Sequence, residues 1–186
     1  LAKLGAWTDG GPSATQTFGA SSISLGAVAV GRADEAWGVG ANRVLRAVLV
    51  PPATDGGAPT WRAEELDSRT TRQLLGVWAN ENEVWIVGEN GVVRRGSTPG
   101  TPLLDVVDNP FDADLYDVFG FGPSDIWAVG EQSAVLHWDG NTWTKVATPL
   151  DELADRPRLL AVWGSSPNDV WFAGSGVMLH LERATP

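Results

Sequence analysis

From Leu115 to Val146, LYDVFGFGPSDIWAVGEQSAVLHWDGNTWTKV, β-prone residues come in four short runs separated by turn formers. Leu115 to Phe119 ends at Gly120, Gly122 and Pro123, Ile126 to Val129 stops at Gly130, and Ala134 to Trp138 and Thr142 to Val146 flank Asp139-Gly140-Asn141. Asp-Gly accepts the positive φ angles of a tight turn, so the last two runs predict a hairpin. Four runs in about 32 residues leave no room for a crossover helix, and neighbouring strands must pair antiparallel.

The pattern repeats. An acidic residue two places before a Trp recurs as Glu35/Trp37, Glu83/Trp85, Asp125/Trp127 and Asp169/Trp171, each Trp opening a W-x-[VA]-G tetrapeptide that ends at Gly40, Gly88, Gly130 or Gly174. The Trp spacings of 48, 42 and 44 residues match the period of four-stranded propeller blades. Seven or eight residues before each anchor, a first strand ends at Val30, Trp78, Phe119 or Trp163; nine or ten after it, a third strand carries Arg46, Arg94, His137 or His180.

Within the second strand Ile126 and Ala128 point one way and Trp127 and Val129 the other, so both faces are apolar and both must be covered. A blade packed between two blades meets that requirement, which favours an all-β propeller over a sandwich or a solenoid. The expected organisation is a single domain, 1–186: residues 1–24 as a closing strand or partial blade, blade 1 at 25–73, blade 2 at 74–114, blade 3 at 115–158 and blade 4 at 159–186. In one alignment Trp7 matches Trp61 and Trp143, and the N-terminus supplies the fourth strand of blade 4, closing a four-blade ring against Val177 to Leu181. In the other, Thr8-Asp9-Gly10-Gly11 matches Thr54-Asp55-Gly56-Gly57, Thr15 to Phe18 is a fourth strand, and the chain is a segment of a larger propeller whose last blade another chain completes.

W-G-S-x-P-x-D-V-W-x-x-G at Trp163 to Gly174, echoed at Phe119 to Gly130 and followed by H-W-D-G-N-T-W at His137 to Trp143, resembles the Trp-rich repeats of bacterial surface propellers related to the BNR/Asp-box and kelch-like groups. Adjacent Asp139 and Gly140 depart from the spaced S-x-D-x-G-x-T-W of an Asp-box. The resemblance implies sialidases, lectins or assembly factors, and a secreted, periplasmic or cell-surface location.

The chain has 13 basic and 23 acidic residues, a net charge of −10. That balance opposes counterion-driven binding to nucleic acid or to an anionic membrane surface. No apolar run approaches the roughly 20 residues of a membrane-spanning helix, and membrane insertion is not expected. The absence of Cys removes thiol chemistry and Cys-ligated zinc. No cofactor is expected.

The resemblance to sialidases implies a Tyr nucleophile with a Glu, an arginine triad and an Asp acid, but the single Tyr, Tyr116, lies in an ordinary first-strand position. No catalytic residue is assigned and the chain reads as a non-enzyme. His137 and His180 occupy equivalent sites in adjacent blades, too far apart to share a metal. Asp108, Asp112 and Asp114 lie in one loop and are weak calcium candidates, their spacing unlike an EF-hand. The acids Glu35, Glu83, Asp125 and Asp169 read as turn carboxylates accepting backbone N–H bonds. Trp37, Trp85, Trp127 and Trp171 read as core.

The remaining aromatics are the binding candidates: Trp78, Phe119 and Trp163 at the ends of inner strands, and Trp61, Trp138 and Trp143 beside outer hairpins. Exposed Trp anchors protein partners or stacks on sugar rings. Loops that differ between repeats favour a protein-interaction scaffold, because a lectin would repeat its site in every blade; a carbohydrate-binding lectin is the alternative, and a sialidase-type glycoside hydrolase rests on family analogy alone.

Overall fold

The computed structural model describes residues 2–8, 11–18, 24–53, 55, 57–99 and 103–182, the first two segments as backbone only. Three four-stranded antiparallel sheets, one three-stranded sheet and a hairpin follow one another along the chain. Blade 1 is β3 (Ala27–Arg32), β4 (Glu35–Gly40), β5 (Arg43–Val50) and β6 (Thr60–Leu66); blade 2 is β7 (Leu74–Ala79), β8 (Glu83–Gly88), β9 (Val93–Ser97) and β10 (Asp105–Val106). Blade 3 is β11 (Leu115–Gly122), β12 (Asp125–Gly130), β13 (Val135–Trp138) and β14 (Trp143–Lys145), and blade 4 is β15 (Leu159–Ser166), β16 (Asp169–Gly174) and β17 (Val177–Glu182). The first strands of successive blades are neighbours, β3 with β7, β7 with β11 and β11 with β15, which puts them on the inside of the arc. The architecture is that of a β-propeller.

Each second strand is sandwiched. On β12, Ile126 and Ala128 pack towards blade 2 with Trp85 and Val87, while Trp127 and Val129 pack towards blade 4 with Val162, Val170 and Phe172. Trp37 enters blade 2 in the same way, against Val77, Val84 and Ile86. Trp37, Trp85 and Trp127 are fully buried. Trp171 is not: it is 36% exposed, because no described blade covers the far face of blade 4. The reading of all four as core holds for three of them.

The glycine that closes W-x-[VA]-G has a steric cause. A Cβ on Gly40, Gly88, Gly130 or Gly174 would collide with the carbonyl of Ser24, Gln73, Asp114 or Arg158, the backbone that leads into the first strand of the same blade. Only glycine lets the two segments approach so closely.

Seams between blades also carry polar bonds. Ser133 N and Oγ donate to the carbonyl of Pro157 at 2.9 and 3.0 Å, and Gly91 N donates to that of Ala113 at 2.9 Å. Arg94 is buried, its guanidinium donating to the carbonyls of Ser68 (2.9 Å) and Arg69 (2.8 Å) in the segment that enters blade 2.

At the N-terminus β1 (Ala2–Thr8) pairs antiparallel with β2 (Gly11–Phe18) and not with β17. The pairing of the Trp7 region with Val177 to Leu181 is therefore not formed, and β17 is the last strand of its sheet among the described residues. The Trp7 side chain, Asp9, Gly10, Thr54, Gly56, the loop tip 100–102 and residues 183–186 lie outside the described residues.

Trp127→Ala should lower unfolding stability by about 3–5 kcal/mol, the cost of deleting a buried aromatic and leaving its cavity. Trp171→Ala, removing a ring already open to solvent, should cost clearly less. Urea unfolding of both variants compares them, and equal losses would contradict the following blade as the cause of the burial.

Candidate functional site

A recurring side-chain cluster is built on each second and third strand. The register sets Trp37 opposite Arg46, Trp85 opposite Arg95, Trp127 opposite His137 and Trp171 opposite His180. In blade 2 the residue in this row is Arg95, not Arg94. The reason is turn length: Gly40 pairs directly with Arg43 and Gly174 with Val177, whereas blades 2 and 3 insert a 3-10 turn, Glu89–Gly91 and Glu131–Ser133, one residue longer.

The acid two residues before each Trp accepts from side chains rather than from the backbone N–H groups of a turn. Asp125 Oδ1 takes the Trp127 indole N–H at 2.9 Å and lies 2.7 Å from His137 Nε2; Asp169 Oδ1 does the same with Trp171 (2.9 Å) and His180 (2.7 Å). Glu83 Oε2 accepts from Trp85 Nε1 (2.9 Å) and Arg95 Nε (3.1 Å). In blade 1 Glu35 binds Arg46, which also reaches Glu64 at 2.9 Å, and the Trp37 indole N–H finds no acceptor among the described residues. The third-strand group stacks on the ring: Arg46 and Arg95 sit 5.7 and 5.1 Å from the Trp37 and Trp85 centroids, and the His180 ring lies 4.0 Å from Trp171 at 12°. These clusters tie strands within a blade. The Asp169 carboxyl is held below the usual carboxylate range by the Ser165 hydroxyl first and by His180 next.

Among the described residues no group of three or more His, Asp or Glu is placed to hold a metal. Asp108 and Asp112 are exposed, and Asp114 Oδ1 instead accepts Asn90 N at 2.8 Å, fastening its loop to the turn of blade 2. Tyr116 Oη donates to Glu131 Oε1 at 3.0 Å, and Arg158 reaches the same oxygen at 3.3 Å. Burial first, and then this carboxylate, push the phenol above its ordinary value, which favours a protonated hydrogen-bond donor over an activated nucleophile.

The outer candidates divide. Trp138 and Trp143 are buried, because β13 and β14 fold onto the Trp85 ring at 5.4 and 5.8 Å, and they offer no face to a ligand. Trp61, on β6 opposite Leu49, is half-buried.

The inner candidates form a row. Register places Ala29, Trp78, Phe119 and Trp163 opposite the four anchor Trp, so Ala29 rather than Val30 is the blade 1 member. Trp78 and Phe119 lie 6.3 Å apart, Phe119 and Trp163 another 6.3 Å, and Phe121 meets Phe119 edge-on at 5.2 Å. These are ordinary distances for interacting aromatic pairs. Gly120 makes the row possible, since a Cβ there would stand 2.9 Å from the Trp78 ring. Trp78 and Phe119 are half-buried and Trp163 is 58% exposed. Asp117 sets the alignment of the strands beneath: its Oδ2 accepts Val162 N at 2.9 Å, binding β11 to β15, while Oδ1 accepts Val118 N at 2.9 Å. At the other end of the strands a cleft of about 450 Å³ opens between blades 1 and 2, lined by Asn42, Thr71, Gln73 and Glu89 among others. Glu89 is already committed there, accepting Gln73 N at 3.1 Å.

YCF48 bound to D1 peptide superposes with a TM-score of 0.64 at 15% identity, over 86% of this chain and 51% of that one; YCF48 from Cyanidioschyzon merolae gives 0.55 at 16%, over 88% and 57%. The fold is that of a β-propeller. No family model matches the chain, and no curated protein matches it significantly. The chain spans about half the length of the two YCF48 chains.

Burial holds the Asp117 carboxyl above the usual carboxylate range, against the pull of its two backbone N–H bonds. A raised folded-state value means that folding favours the protonated form: the contribution is complete below the unfolded value and is lost as pH rises through the folded one. Asp117→Asn lacks that titration, so the stability of wild type relative to the variant should fall as pH goes from about 3 to about 6. Urea melts across that range measure it, and a constant difference would sink the idea of a buried carboxyl.

Proposed function

We propose that this chain is a non-catalytic protein-interaction module that holds an extended segment of a partner along the inner aromatic row. The observation that carries this reading is the Trp78–Phe119–Trp163 alignment across three blades at 6.3 Å intervals. Two residues of an extended chain advance by roughly 6–7 Å and carry their side chains on one face, so alternate side chains of such a segment meet successive rings.

The structural neighbour supports the class of ligand: YCF48 was solved bound to a D1 peptide. Kinship with the BNR/Asp-box and kelch-like groups is supported by the repeat motif and not by Asp139, which directly precedes Gly140 where an Asp-box spaces the two. The Asp139 carboxylate accepts Asn141 N (2.9 Å) and Thr142 N (2.8 Å) and shapes the β13–β14 hairpin, with Gly140 at φ 101°.

The test is a displayed random-peptide library and a glycan array probed with wild type, Trp78→Ala and Trp78→Phe. Enriched peptides should bind wild type and Trp78→Phe, since blade 3 itself uses Phe at this position, and lose at least tenfold in affinity with Trp78→Ala, about 1.4 kcal/mol. Circular dichroism confirms that each variant is folded. Binding of glycans with no enriched peptide would replace this reading with that of a lectin.

A further inference from the structure

The inner aromatic row lies at the acidic end of the blades. Trp78, Phe119 and Trp163 are each the fifth residue of a first strand, so the turn into the second strand follows closely. Those turns and the starts of the second strands carry Asp34, Glu81, Asp125 and Asp169. Asp139 belongs to the same end, because its hairpin packs on the turn before β12: a Cβ on Gly140 would stand 2.9 Å from that of Ser124. The cation in these turns among the described residues, Arg32, is already bound to Asp34 at 2.8 Å. Glu81 is exposed at the tip of its turn, where Asn80 Oδ1 takes the N–H groups of Asn82 (2.8 Å) and Glu83 (2.9 Å) and the Glu81 carboxylate is left to solvent. Arg43, Arg69, Arg72, Arg156 and Arg158 lie at the opposite end, at the start of β5 and in the links into β7 and β15.

We infer that the segment held by the row is basic: an extended stretch with Arg or Lys at alternate positions, each cation set over a ring and towards a turn carboxylate. The inference rests on the reading of the row as a peptide site and adds the charge of the ligand. Alternate side chains of an extended segment stand roughly 6–7 Å apart on one face, the interval of the Trp78, Phe119 and Trp163 rings. A cation over an aromatic face is attracted by the ring quadrupole, most strongly by Trp.

The chain already uses this arrangement inside its own blades. Arg46 lies over the Trp37 ring at 5.7 Å while bound to Glu35, and Arg95 over Trp85 at 5.1 Å while bound to Glu83. The row offers the same two elements to an outside cation, Trp78 with Glu81 three residues on, and Phe119 with Asp125 beyond the turn. The net charge of −10 draws a basic segment in and repels an acidic one.

A displayed random-peptide library selected on the wild-type chain and sequenced is the test. Enriched peptides should carry Arg or Lys at two positions separated by one residue. A synthetic copy of the strongest should lose about tenfold in affinity when those residues become Leu, when they are moved to adjacent positions, or when the protein carries Trp78→Ala. Glu81→Lys, at an exposed position, should weaken it by about tenfold as well and Glu81→Gln by less, with circular dichroism showing each variant folded. Binding should fall as NaCl rises from about 0.05 to about 0.5 M, because salt shortens the reach of exposed charges. Enriched peptides that are neutral or acidic and still need Trp78 would overturn the inference and leave the peptide site standing. Basic peptides indifferent both to spacing and to Trp78→Ala would replace it with diffuse attraction to an acidic surface. A library that yields no peptide at all would remove the peptide reading and this inference together.

Discussion

The fold depends on an indole placed between two sheets. A Trp at the centre of the second strand is large enough to reach across the seam and contact the third and fourth strands of the next blade, as Trp85 does with Trp138 and Trp143. In blades 2 to 4 its N–H is satisfied by a carboxylate of the same blade, where an unpaired buried donor would cost about 1–3 kcal/mol, whereas the Trp37 N–H has no acceptor among the described residues. The acid two residues earlier points to the same face of the strand and is within reach. That carboxylate needs a partner in turn, which the third strand supplies as Arg or His stacked on the ring. One buried aromatic thus dictates an acid at one spacing and a cation or imidazole at another, and the repeat motif follows from this chain of requirements.

The wedge shape of the blades follows from a second constraint, close approach at the narrow end. First strands of successive blades are neighbours, and the aromatic of one blade must lie over the backbone of the next. Gly120 leaves space for Trp78, and Gly164 for Phe121. The inner row is in this sense a by-product of packing that has become a surface: the rings are held tilted to one another at regular intervals, half in the seam and half towards the inside of the arc. A rigid aromatic row loses little entropy on binding, which is why such surfaces make effective anchors. The polar seams, Asp117 to Val162 and Arg94 to Ser68 and Arg69, hold the intervals constant.

Variation between blades is confined to what the constraints leave free. The β5–β6 and β9–β10 connections differ in length and composition, and the 3-10 turn is present in blades 2 and 3 but replaced by a two-residue turn in blades 1 and 4. None of these changes moves the Trp or its acid. Loops on a scaffold of this kind can diversify for recognition at little cost to stability.

The sequence by itself determined the blades. Period, turn chemistry and the acid–x–Trp anchor locate the four strands of blade 3 and the first three strands of the other blades to within a few residues, because a repeat states each local rule four times; the fourth strands β6 and β10, set off by irregular connections, are not located by it. It also placed Trp78, Phe119 and Trp163 on equivalent inner positions. Only the tertiary structure decided what each side chain meets. Trp138 and Trp143 look like surface aromatics in the sequence, but the preceding blade supplies a ring to bury them; Trp171 looks like core, but burial of that position requires a blade after it. A one-residue difference in a turn made Arg95, not Arg94, the partner of Trp85, since alternation sends neighbouring residues to opposite faces. The N-terminal strands chose each other over β17, because strand pairing between distant segments is set by where the arc places its ends, and periodicity within a blade carries no information about that.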